Sequence, residues 1–355
     1  MSRSPPAKFI VILFAGLLVF LLYLYLTVGI NEILSIFGRL DLRRYSLYYA
    51  TALAAVFLSM LFYSMSWNRL MEAVGIRIGL RKAYLYCWLG NFVDSIIPFE
   101  TISGEATKIY FVQRETNEQP GRIVASVVAH RIISTSIALS SLVVSLTLLI
   151  IMYKISLGII YPILILILCS AALIMLLLFA SLRRNVAEKI IDPVLNFVSS
   201  ISRGRINLLE TRNLVYTNLQ YFYNDFRYLG GDRWALVYAI FYGLIAWLLH
   251  LSVFLLTFCA INFSEIISKI YETVIVYSIN AALQVSPASL APGIIEIVMT
   301  NLYIMLGFDM AISGTATLLI RIATFWLPVI FGGAIAQWMG VKNLLAQISK
   351  NTSTC

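Results

Sequence analysis

Two sets of charged residues stand inside otherwise apolar sequence: Asp94, Glu105 and Arg131 in one region, Glu296 and Arg321 in another. Arg131 follows Glu105 by 26 residues, and Arg321 follows Glu296 by 25. Each glutamate comes after a proline and a glycine, in "IIPFETISGEATK" (Pro98, Gly104, Glu105) and in "SPASLAPGIIE" (Pro287, Pro292, Gly293, Glu296). Proline interrupts a helix because it lacks an N–H and clashes with the preceding turn. Ser103 is a suitable cap for a new helix with Glu105 in its first turn, and Pro292 suits a first-turn position with Glu296 behind it. The start of a helix offers unpaired N–H groups and a positive dipole end, and a guanidinium offers a planar fork of donors. Together these groups hold an anion such as phosphate. The same residues can instead pair, Glu105 with Arg131 and Glu296 with Arg321, and staple one helix to another. Both pairs are expected, as the opposite charges each unit offers at membrane depth. The sequence leaves open whether they only staple helices or whether one or both arginines also meet a lipid phosphate. Asn91, Asp94, Asn280, Ser286 and Ser289 lie on the same two segments and complete the candidate set with Ser103, Gly104 and Gly293.

These charges have to be placed in a membrane. Of the 355 residues 60% are hydrophobic and 12% charged, with a mean hydropathy of +0.88. A soluble domain of this size has no interior large enough for so much apolar surface. The net charge of +9 does not indicate nucleic acid, because the basic residues fall in short segments between apolar runs. That distribution sets orientation in a bilayer. Cys87, Cys169, Cys259 and Cys355 have neither zinc spacing nor the density of a disulfide framework, so no metal and no cofactor is expected.

Six apolar runs, near 9–28, 45–66, 123–152, 158–181, 234–260 and 311–339, have the roughly 20 residues a spanning helix needs. The first is too long for a signal-peptide core and has no small-x-small cleavage site, so it is expected to be retained. Two more regions, 83–115 and 273–308, are broken by Pro98 and by Pro287 and Pro292, and each is expected to enter and leave on one side. With both termini cytoplasmic, 19 of the 26 Lys and Arg fall inside and five outside, which is the bias the positive-inside rule asks for. Residues 183–232 form the one sizeable connection. Ile190, Ile191, Val194, Leu195, Val198 and Ile201, and then Leu219, Phe222, Tyr223 and Phe226, mark one face each of two amphipathic helices. They lie on the cytoplasmic surface or pack as a cover on the bundle.

The odd residues also repeat. Asn91 precedes Pro98 by seven residues, as Asn280 precedes Pro287. Each unit, about 83–152 and about 270–339, runs from a half-helix with Asn through a proline break and a half-helix with Glu to a span with Arg. Three spans lie between the hairpins, so the units face opposite ways. Such an inverted-topology repeat puts broken helices, and the site between them, near the midplane. Arg131 and Arg321 lie about eight and ten residues into their runs, roughly 12–15 Å deep from opposite faces.

"NFVDSIIPFETISGEATKIYFVQR" followed by "ASVVAHRIIST", and "SINAALQVSPASLAPGIIEIVMTNLY" followed by "ATLLIRI", resemble the two signatures of the lysylphosphatidylglycerol synthase transmembrane-domain family, the flippase-like integral membrane proteins. The resemblance runs from about residue 8 to 340. Phe99–Ser103 replaces the family's short basic linker, and Pro292-Gly293 stands for a more glycine-rich second loop. It implies an all-α polytopic fold and the lipid-flipping role of the membrane module. Lysyl transfer belongs to a soluble domain that the sequence does not show.

The expectation is therefore a single integral domain over 1–355, in the cell membrane, that moves a phosphate-bearing lipid between leaflets and is not an enzyme. The lipid would be a phospholipid or a polyprenyl-phosphate-linked sugar. The expected partners are membrane lipids, with a separate lipid-modifying enzyme or a second copy of the chain beside them. The alternatives are a membrane enzyme acting on lipid (pyro)phosphates and an accessory subunit that delivers lipid to a separate transferase. No Gly-x4-Gly-Lys-Ser/Thr motif is present, so transport would be downhill or ion-driven. His130 and His250 read as packing residues, with His130 the better relay candidate.

Overall fold

A computed structural model describes residues 5–96, 100–152, 157–183, 208–285 and 293–340. Among the described residues the chain is helical, without strands. Helix α1 (Pro5–Tyr23) runs through a π-helical turn (Leu24–Val28) and bends by 90° into α2 (Ile30–Gly38). The long helices are α3 (Leu42–Ala73), α6 (Pro120–Met152), α7 (Leu157–Leu182) and α9 (Arg233–Ala260). A further long helix is made of α12 (Met310–Arg321), a π-helical turn (Ile322–Trp326) and α13 (Leu327–Trp338). These five can each cross a membrane by length and composition, and the bent α1–α2 pair makes a sixth. The protein is thus an all-α polytopic membrane protein. Acidic residues mark where helices begin: Asp41, Asp232 and Asp309 accept N–H bonds from the first turns of α3, α9 and α12 at 2.9–3.5 Å.

The two proline-broken regions form pairs of shorter helices, α4 (Leu80–Ile96) with α5 (Glu100–Thr116), and α10 (Ile270–Val285) with α11 (Ile294–Met305). Their packing is reciprocal. The first arm of each pair lies against the long helix that follows the other pair, α4 on α13 and α10 on α6. The second arm of each lies against its own following helix, α5 on α6 and α11 on α12. Small residues permit these contacts, as expected where no water drives helices together. A side chain at Gly332 would strike Phe92 and the Trp88 carbonyl of α4, and one at Gly104 would strike Asp94 and the Gly90 carbonyl. Gly293, at φ +96°, lies against the Gly16 backbone, which seats α1 on the second hairpin.

Helix α8 (Leu208–Gly231) packs on α6 and α7, with Phe222 buried and stacked on Phe226. Arg122 holds it through Asp225 (2.9 Å), and Asn218 Oδ1 accepts the Gly121 N–H (3.1 Å). The amphipathic face therefore covers the bundle, the second of the two arrangements its pattern allows. The face drawn from Ile190 to Ile201 lies outside the described residues, as do Pro98, Ser286, Pro287, Ser289 and Pro292.

Candidate functional site: a charged cavity between the hairpins

A cavity of about 340 Å³ opens between the two hairpins, walled by α3, α6, α9 and the π-helical turn after Arg321. Of the sequence candidates, Asn91, Asp94, Gly104, Glu105, Arg131, Asn280 and Arg321 line it. Ser103, Gly293 and Glu296 stand just behind the lining, through the partners described next.

In the second unit the expected pair forms. Arg321 Nε donates to Glu296 Oε1 at 2.7 Å, with the two side chains 4% and 6% exposed. The guanidinium also sits 4.6 Å over the Phe325 ring. Glu296 Oε2 accepts the N–H of Gly293 at 2.5 Å, so the same carboxylate caps α11. The π-helical turn widens the helix immediately after Arg321 and brings Thr324 and Phe325 to the cavity wall.

The first unit differs from expectation in two ways. Glu105 does not take Arg131; its Oε2 lies 2.6 Å from Nζ of Lys108, one turn along the same helix face. Lys108 is 3% exposed, with its ammonium 4.9 Å from the Trp67 ring centre and 5.8 Å from that of Tyr63. It is therefore a cavity residue and does not count among the cytoplasmic charges. Secondly, Ser103 is not the helix cap. The helix has already begun at Glu100, so Ser103 lies inside it and its Oγ donates to Asp94 Oδ1 at 3.0 Å. The Gly104 N–H donates to the same oxygen at 2.6 Å. Asp94 thereby ties the arms of the first hairpin together where Gly90 and Gly104 let them cross closely.

Arg131 is left with no ion pair and no side-chain hydrogen bond among the described residues, and its Nη2 is buried without a partner. His130 is buried edge-on against Tyr63, their ring centres 4.4 Å apart, and His250 faces Tyr277 at 5.8 Å. Both histidines line the cavity in aromatic packing. Sequence reasoning passed over Lys108, Tyr63, Trp247, Tyr277 and Gln284 as lining residues. The signal for Lys108 was its spacing of three from Glu105. The others look like ordinary span residues and carried none.

Spanning helices around two hairpins that meet at a charged cavity define a polytopic membrane protein with a polar chamber inside the bundle. The family described as the lysylphosphatidylglycerol synthase TM region matches residues 10–332, and the chain belongs to that family. It is similar to a UPF0104 membrane protein of Pyrococcus horikoshii, 23% identical over 92% of this chain and 96% of the relative. A UPF0104 membrane protein of Methanothermobacter thermautotrophicus is 22% identical over 82% and 86% of the two chains. A third, from Methanocaldococcus jannaschii, is 22% identical over 76% and 78%. No solved structure matches the chain.

Proposed function

We propose that the protein is a lipid transporter in the cell membrane, which passes the phosphate-bearing head group of a lipid between leaflets through this cavity. The observation that carries the reading is the state of Arg131. Among the described residues three cations line the cavity; Lys108 and Arg321 each have a carboxylate within ion-pair distance, whereas Arg131 has none. An unpaired guanidinium within a bilayer is costly and needs an anion or water beside it. A phosphate entering on a lipid supplies that anion, and the planar fork suits it. The tail would stay in the hydrocarbon while the head group crosses. With both termini cytoplasmic the two hairpins enter from opposite faces, and the reciprocal packing of α4, α10, α6 and α13 agrees with a pseudo-twofold repeat of about 83–152 and 270–339.

The test is exchange in proteoliposomes carrying a head-group-labelled phosphatidylglycerol, or a labelled polyprenyl phosphate, with the outer leaflet read by chemical quenching. Wild-type protein should exchange either or both faster than empty liposomes, and Arg131→Gln, at equal folded protein, should lose most of that gain. Rates equal to empty liposomes for a broad lipid panel would overturn the transport reading in favour of an enzyme or a lipid-delivery subunit. Phosphate released from a lipid pyrophosphate by purified protein would single out the enzyme.

A further inference from the structure

The two units of this chain answer the same question differently, and the difference sits at one position. In each, a glutamate near the start of the second hairpin arm is followed by an arginine on the next long helix, Arg131 after Glu105 and Arg321 after Glu296. Three residues after the glutamate the first unit has Lys108 and the second has Met299. Met299 is fully buried and offers no charge, and there the glutamate reaches its arginine at 2.7 Å. Lys108 does offer one, and there the glutamate turns to the lysine at 2.6 Å while the arginine stays unpaired. Lys108 is itself fixed: its ammonium rests on the Trp67 and Tyr63 rings, and its stem fills the space left by Gly90.

We infer that Lys108 is a positioning residue that holds Glu105 away from Arg131 and so keeps Arg131 open to the phosphate of the transported lipid. This rests on the transport reading above. Glu105 and Arg131 line the same cavity, and both lie within electrostatic reach of Asp94 and Tyr63. A buried carboxylate needs a cation or donors, and without Lys108 the cavity cation that has no carboxylate of its own among the described residues is Arg131. The second unit, where methionine occupies this position, already shows the closed outcome.

The experiment uses purified full-length protein in detergent and the substitution Lys108→Met, which copies the second unit. Binding of dioctanoyl phosphatidylglycerol, and separately of inorganic phosphate, is measured by calorimetry after monodispersity has been checked by gel filtration. The two arms tell a lipid head group from a free anion. Lys108→Met should weaken binding of whichever probe the wild type holds by about tenfold or more. Lys108→Met combined with Glu105→Gln should bring it back to within about threefold of wild type, because the competing carboxylate is gone. A double variant as weak as Lys108→Met would mean that Lys108 touches the anion itself, and would overturn the inference. So would wild-type affinity in Lys108→Met. Should Lys108→Met fail to fold, the double variant and Glu105→Gln alone still decide, since both must bind to within about threefold of wild type or better. A wild type that binds neither probe counts against the transport reading, while leaving the Lys108–Glu105 geometry as it is.

Discussion

Replacing Arg321 by methionine removes one half of an ion pair whose side chains are 4% and 6% exposed, with 2.7 Å between Nε and Oε1. At that burial solvent screens little, and loss of one partner costs about 3–5 kcal/mol. Glu296 would keep the Gly293 N–H bonded at 2.5 Å, which compensates part of its charge. Arg321→Met therefore belongs near the lower end, about 3 kcal/mol. Glu296→Gln strands a guanidinium whose other neighbour is the Phe325 ring, and belongs near the upper end, about 5 kcal/mol. The double variant leaves no stranded charge. It should cost about 5 kcal/mol rather than the additive 8, a coupling of about 3 kcal/mol. Reversible unfolding in mixed SDS micelles, followed by circular dichroism, measures all four corners. The first unit supplies the contrast, since Glu105→Gln and Arg131→Met should be additive within about 0.5 kcal/mol because Glu105 is engaged by Lys108. Additivity at Glu296 and Arg321, or strong coupling at Glu105 and Arg131, would refute the account of the site.

Gly104→Ala should destabilise the protein by about 1–3 kcal/mol in the same assay, since its methyl group would meet Asp94 and the Gly90 carbonyl. Gly230→Ala, with open space around it, should not. Single cysteines at the exposed positions Gln119 and Ser268 should label from opposite sides of sealed vesicles, Gln119 from the cytoplasmic side. Labelling from one side would remove the inverted arrangement of the hairpins.

Much of the fold was legible because hydrophobic length and proline are blunt signals. The runs at 45–66, 123–152, 158–181 and 234–260 fall inside α3, α6, α7 and α9, that at 311–339 ends one residue past α12–α13, and the broken regions form α4–α5 and α10–α11. The apolar run ends at Val28, but the bend there was not legible, because Gly29 and Asn31-Glu32 mark only a break and the turn depends on Gly29 taking a φ of +86°. At the site, Glu296 and Arg321 were paired correctly because the stretch between them offers no competing cation. Glu105 is assigned to Arg131 as the opposite charge its unit offers at membrane depth, and the assignment fails because Lys108, one turn away, is buried in the same cavity. Ser103 was read as a cap from its type, yet a cap is fixed by where the helix begins, and that is decided by backbone the sequence marks only with Pro98.

Carboxylates also occupy backbone N–H groups near both hairpin breaks. A free helix N-terminus attracts phosphate, but Glu296 takes the N–H of Gly293 at the start of α11, and in the first hairpin Asp94 takes that of Gly104 in the second turn of α5. Each unit thus carries its own carboxylate beside the break. A phosphate in the cavity meets one of them at either N–H group, and among the described cavity cations only Arg131 has no carboxylate within ion-pair distance. Among the described residues three carboxylates, Asp94, Glu105 and Glu296, stand against the three cations Lys108, Arg131 and Arg321 in and behind the lining. The added phosphate therefore makes the site net negative, and the carboxylates that leave Arg131 available also oppose lasting retention of the anion. A site built to keep its ligand would leave its cations and helix ends free together. One that holds back all but a single guanidinium is suited to letting the head group go.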